Sequence, residues 1–200
     1  MAGRPSGTVT FLFTDVEGST RLWAADKDAM SASLLVHDAI LRGAIEGNGG
    51  YVFTTAGDSF AAAFGRASDA VRAATDSQRA LSNAVWPGPV LRVRMGMHLG
   101  EAEERGGDYF GPVVNTAARV EAAGHGGQVL VTDAVRTAAG TPTTTPDPPI
   151  SAVSAHSAEI PRATATVRSR SAHRQRGRLA ASALSCASSN DSSARIASPT

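Results

Sequence analysis

Cysteine and lysine are nearly missing from this chain of 200 residues. Cys186 is the single cysteine, so no intramolecular disulfide framework can form, which fits a reducing cytoplasm. Lys27 is the single lysine, so any role that needs an amine elsewhere in the chain is excluded. No apolar run is long enough to span a bilayer, and Met1 to Gly7 carry no apolar core of a secretory signal. What remains is an ordinary globular composition, 42% hydrophobic, enough for one domain with a core and a tail.

The net charge of +1 hides an asymmetry. Residues 1–140 carry 12 Lys and Arg against 15 Asp and Glu, a balance of −3, whereas residues 141–200 carry 7 against 3, a balance of +4. A mildly acidic body argues against a nucleic-acid-binding core. From Thr141 onward Pro, Ser, Thr, Ala and Arg dominate and hydrophobic periodicity is lost, so 141–200 reads as a disordered, low-complexity tail.

The stretch around which the body is organised is Thr8 to Thr20. Its β-branched and aromatic opening, Thr8 to Phe13, predicts a buried strand. The run ends on Asp15, Val16 and Glu17, then Gly18, Ser19 and Thr20, small residues suited to start a helix. A strand that delivers a carboxylate beside free N–H groups can hold a cation and phosphate oxygens together. Taken alone, Asp15 equally suits a turn cap.

The remaining pattern alternates. A helix is predicted from about Ala29 to Glu46, with Met30, Leu34, Leu41 and Ile45 on one face. Tyr51 to Thr55 and Ser59 to Gly65 read as a hairpin with Asp58 at its tip. A second helix follows over Ala67 to Ala84 and ends at Trp86-Pro87-Gly88-Pro89. Val90 to Leu99 is a strand with Val93, Met95 and Met97 alternating against Arg92, Arg94 and His98, and His98 reads as a strand histidine, not a metal ligand. Gly100 to Gly107 reads as a loop, Val113 to Ala123 as a helix with proline in its first turn, Gln128 to Val131 as a strand, and Thr132-Asp133 as the start of one or two more helical turns. The order predicts an α/β (α+β) domain with helices packed on a mixed sheet.

Asp15 and Asp58 each stand at a strand end. If the first strand lies beside the hairpin, both acids meet at one sheet edge, and with the backbone carbonyl of Val16 they suit one or two Mg²⁺ or Mn²⁺ ions carrying a triphosphate. Asn115 and Arg119, spaced i and i+4, project from one helix face, where an amide and a guanidinium suit a ribose and a phosphoryl group. The pair alone also fits a solvated helix face.

Phe13 to Thr20, Thr55-Ala56-Gly57-Asp58 and Asp108 to Arg119, in this order and spacing, resemble the class III adenylate/guanylate cyclase catalytic domain of the actinobacterial type. The resemblance covers about residues 6–140. It implies a ferredoxin-like domain working as a homodimer with shared active sites, no nucleic acid and no membrane as partners, and ATP or GTP as substrate. Asp15, Val16 and Asp58 would bind two metal ions, Mg²⁺ or Mn²⁺, and Glu17, Gly18, Ser19 and Thr20 the phosphates. Asn115 and Arg119 of the other subunit would orient the ribose and stabilise the transition state, while Thr54 and Asp108 would read the base. The implied reaction is attack of the ribose 3′-oxygen on the α-phosphate, giving a 3′,5′-cyclic nucleotide and pyrophosphate for intracellular signalling.

Two departures accompany the resemblance. The family's purine-reading lysine, four residues before the second metal aspartate, is Thr54 here, so discrimination between bases should weaken by about 1–3 kcal/mol. Asp108 still offers an acceptor to an adenine amino group, favouring ATP over GTP. Past residue 140 the sequence is unlike the strands that complete the family's sheet, so those strands are expected to be missing. Both departures also motivate a second reading, a catalytically silent nucleotide-binding or dimerisation module.

Overall fold

The structure, a computed structural model, describes residues 3–140 and the backbone of 150–153. The elements are β1 (Thr8–Val16), α1 (Ser19–Ala25), α2 (Lys27–Gly47), β2 (Tyr51–Ala56), β3 (Ser59–Phe64), α3 (Ala67–Asn83), β4 (Val93–Glu101), β5 (Glu103–Arg105), β6 (Asp108–Phe110), α4 (Pro112–Ala122), β7 (Val129–Thr132), α5 (Asp133–Ala139) and β8 (Ile150–Val153). The expected mixed α+β fold is what forms. Among the described residues, six strands make one sheet in the order β2-β3-β1-β4-β7-β8, and β5 and β6 make a separate small hairpin.

β1 is the central strand because its apolar run lets it be buried on both faces. It pairs antiparallel with β3 on one side and β4 on the other, whereas β4–β7 and β7–β8 are parallel. Alternation along β1 divides the core. Leu12 and Val16 join Met30, Leu41 and Ile45 of α2 and the small residues Ala67, Ala70 and Ala74 of α3 on one face. Val9 and Phe11 join Val113 and Ala117 of α4 on the other. Each large side chain buried this way contributes about 1.5–3 kcal/mol.

An aromatic cluster closes the second face. Phe11 and Phe53 each meet the Tyr109 ring edge-on, at 5.2 and 5.1 Å between centroids. Phe53 reaches it from a register shift in the β2–β3 pairing, where Val52 faces Ala62 but Thr54 faces Ala61. The extra residue is a β-bulge, which re-aims side chains at that point.

Gly96 lets α4 sit close to the sheet. A Cβ built there would lie 2.1 Å from the Glu121 backbone nitrogen, so a bare backbone is needed at this crossing.

Four details differ from the sequence reading. The residues after Gly18 form a separate short helix, α1, because Asp26 leaves helical geometry (φ −156°, ψ 106°) and its side chain accepts a hydrogen bond from Ala29 N at 2.9 Å, capping α2. β4 begins at Val93 instead of Val90. The predicted 100–107 loop holds β5, which pairs with β6 across a Gly106-Gly107 turn with φ of 60° and 94°. β8 adds a strand in the stretch read as tail, in register with β7 from Val129↔Ile150 to Thr132↔Val153. The rest of that stretch, 141–149 and 154–200, lies outside the described residues.

Candidate active site

The carboxyl end of β1 and the tip of the β2–β3 hairpin are brought together by the β1–β3 pairing, which runs from Thr10↔Phe64 to Thr14↔Phe60. Asp15 is next to last in β1, and Asp58 lies in the two-residue turn between Ala56 and Ser59. Val16 N donates to Asp58 Oδ2 at 3.2 Å, and Ser59 Oγ donates to Asp15 Oδ1 at 2.9 Å. The two acids therefore share one edge of the sheet and are tied to each other's strands.

Beyond them the chain turns. Glu17 N donates to Arg92 O at 2.9 Å, and Gly18 adopts φ 71°, a left-handed conformation that glycine takes without a Cβ penalty. Its carbonyl accepts from Arg21 N and Leu22 N at 3.0 and 3.3 Å, starting α1 at Ser19. Glu17, Gly18 and Thr20 are exposed and Ser19 is half-buried, directly after the Asp15 strand end. His125 Nδ1 stands 3.6 Å from Glu17 Oε1.

Register places Arg94 of β4 directly opposite Asp15. Its guanidinium donates to Asp15 Oδ2 at 2.5 Å, while its Nε lies 2.7 Å from Glu121 Oε1 of α4 as an ion pair without hydrogen-bond alignment. Burial pushes the Glu121 carboxyl up to about 7; Arg94 pulls it back, and the charges of Asp15 and Asp58 add to the rise. Burial also works against the Arg94 charge, but its hydrogen bond to Asp15 and the charges of Glu121 and Asp15 outweigh it, so the Arg94 pKa is raised. The site is thus an alternating row of carboxylate, guanidinium and carboxylate that joins β1, β4 and α4.

Thr54 and Asp108 are both half-buried on neighbouring elements; their chain neighbours Phe53 and Tyr109 form the 5.1 Å ring contact. Asp108 Oδ1 accepts from Tyr109 N at 2.8 Å. Asn115 is exposed and Arg119 half-buried, one turn apart on α4.

Two carboxylates beside a strand-end carbonyl are hard oxygen donors of the kind that Mg²⁺ and Mn²⁺ take. The guanidinium lodged on Asp15 shows that this edge stabilises positive charge. The residues therefore fit a divalent cation held by Asp15 and Asp58 with further ligands from substrate. Among the described residues no group of three or more His, Cys, Asp or Glu side chains is arranged to hold a metal by itself.

The sequence matches the family profile described as the adenylate and guanylate cyclase catalytic domain over residues 1–145. The chain belongs to this family. An uncharacterized protein of Mycobacterium tuberculosis is 42% identical to the cyclase domain over 132 residues, covering 65% of this chain and 44% of that protein. An adenylate cyclase of Lachancea kluyveri is 35% identical over 153 residues, covering 64% of this chain and 8% of that protein. The chain thus spans less than half the length of the curated relatives it matches. Among solved structures, an adenylate cyclase from Trypanosoma brucei described in its monomeric state superposes with a TM-score of 0.63 at 30% identity, over 67% of this chain and 77% of that one. Among the described residues, no helix of the cyclase domain is long and apolar enough to cross a membrane.

Sequence reasoning about the cyclase domain did not single out Arg94, Glu121 or Ser59 for the site. The signal for Arg94 was present as a charged residue in an alternating strand. Glu121, the lone acid of α4, is legible only once that helix is seated over Gly96.

Proposed function

We propose that this domain is a nucleotidyl cyclase that converts ATP, and less readily GTP, to a 3′,5′-cyclic nucleotide and pyrophosphate for intracellular signalling in the cytoplasm. The observation that carries the reading is the meeting of Asp15 and Asp58 at one sheet edge, joined through Val16 N and Ser59 Oγ. Asp15, Asp58 and the Val16 carbonyl would hold two Mg²⁺ or Mn²⁺ ions, which when bound lower the 3′-hydroxyl pKa and brace the phosphate oxygens. Glu17 to Thr20 border the triphosphate, with exposed backbone at Gly18 open to its oxygens.

Asn115 and Arg119 act from the second subunit of a homodimer. The exposed amide of Asn115 orients the ribose, and the guanidinium of Arg119 stabilises charge on the phosphoryl group as the 3′-oxygen attacks in line. Thr54 and Asp108 receive the base; Asp108 Oδ2 remains as an acceptor while Oδ1 takes Tyr109 N, which suits an adenine amino group.

Mixing tests the shared site. Asp58→Ala and Asn115→Ala chains should each lose nearly all cyclic-nucleotide production from Mn-ATP, and a mixture should regain part of it, because one interface of each mixed dimer is intact. Mixed dimers that form without regaining activity would refute a site built from two chains. Nucleotide binding by the unaltered chain without cyclic product would instead support the silent module that the Thr54 substitution motivates.

A further inference from the structure

Both oxygens of Asp15 are engaged within the protomer, Oδ1 by the Ser59 hydroxyl and Oδ2 by Arg94. The two donors differ in kind. A hydroxyl can turn its proton away and accept instead, whereas a guanidinium stays positive at any working pH and repels a second cation. A divalent ion on Asp15 Oδ2 must therefore move Arg94. The structure offers the guanidinium somewhere to go: Glu121 Oε1 already lies 2.7 Å from Nε. The three side chains are 24%, 28% and 11% exposed for Asp15, Arg94 and Glu121, so an exchange between the two acids does not require Arg94 to return to bulk water.

We propose that Arg94 competes with a divalent cation for Asp15 Oδ2 and that Glu121 sets the outcome by offering the guanidinium a second carboxylate. The pair is a device that tunes metal affinity from outside the ligand set. Arg94 and Glu121 are here positioning residues that act through Asp15. The inference rests on the reading of Asp15 and Asp58 as divalent-cation ligands.

The two residues should have opposite effects, which a merely structural role would not give. Mn²⁺ is titrated into the full chain, and free Mn²⁺ is read by electron paramagnetic resonance without nucleotide. Arg94→Gln should tighten Mn²⁺ binding about tenfold, between the worth of an exposed and a buried ion pair. Glu121→Gln should weaken it several-fold, because the guanidinium is left with Asp15 as its charged acceptor. The double variant should keep the tightening, which excludes Glu121 as a newly recruited ligand. It also removes the buried Glu121 carboxylate that Arg94→Gln alone would leave without its guanidinium, so it serves if Arg94→Gln alone does not fold by circular dichroism. Unchanged or weaker binding in Arg94→Gln, shifts of the same sign in both single variants, or loss of the tightening in the double variant would overturn the proposal. Asp15→Asn and Asp58→Asn separate the two levels: if both bind Mn²⁺ as the unaltered chain does, the divalent-ligand reading fails. If they abolish binding while Arg94→Gln changes nothing, only the competition fails.

Discussion

Replacing Gly96 by alanine should unseat α4. The added Cβ would fall 2.1 Å from Glu121 N and 2.4 Å from Glu121 Cα, both backbone atoms that no rotamer change can move. Ordinary contact at about 3.5 Å requires the helix and strand to separate by about 1.4 Å. That gap opens beneath Val113, Ala117 and Val120, all buried against the sheet, so the cost should reach the upper end of the overpacking range, about 3 kcal/mol. With a urea slope near 2 kcal/mol/M, the unfolding midpoint should drop by about 1.5 M. Gly43→Ala is the matched control. It lies in α2 with nothing within 4 Å of a built Cβ, and should stabilise by up to about 1 kcal/mol. The functional effect should exceed the loss of stability. α4 carries Asn115 and Arg119, and a displacement of about 1 Å can cost roughly a hundredfold in rate while the protein is still folded. A Gly96→Ala midpoint within about 0.3 M of the unaltered chain, judged against the usual urea slopes, would refute the claim that this glycine seats the helix.

Other outcomes follow from the same contacts. Glu121 has its folded pKa raised from 4.5 to about 7, so its protonated form favours folding; the contribution is full below about pH 4.5 and is lost as pH rises through 7, and Glu121→Gln should flatten the urea midpoint across that window. A Gln variant with the same pH profile as the unaltered chain would refute this assignment. Phe11→Ala removes a fully buried ring from contact with Phe53 and Tyr109 and should cost about 3–5 kcal/mol by thermal or urea unfolding. Thr54→Lys should raise the ratio of kcat/KM for ATP over GTP by about tenfold or more, as a regained base contact would; an unchanged ratio would remove Thr54 from base recognition.

Much of this fold could be read from the order of residues because local signals agreed with one another. The apolar run of β1, the face of Met30, Leu41 and Ile45, and the Gly57-Asp58 turn each matched the element that forms. The signals that failed were short or polar. Glu103–Arg105 has no apolar face, so β5 is set by its Gly106-Gly107 turn and its pairing with β6, not by periodicity. β8 forms in a stretch with little hydrophobic pattern, and its pairing with β7 could be found only with β7 in place. In the candidate site the residues at strand ends were legible because turn chemistry marks them. Arg94 and Glu121 were not, since their meeting depends on the β1–β4 register and on α4 crossing at Gly96, two long-range facts that no local window contains.

Strand parity gives the candidate site a constraint of its own. Leu12 and Val16 look toward α2 and α3, whereas Phe11 and Asp15 look toward α4. One residue inserted between Phe11 and Asp15 would send the carboxylate in among aliphatic side chains and turn a neighbouring apolar group outward. Such an insertion would damage solubility and chemistry together. During divergence this acid can therefore shift along its strand only by an even number of places, and the sheet itself guards its address.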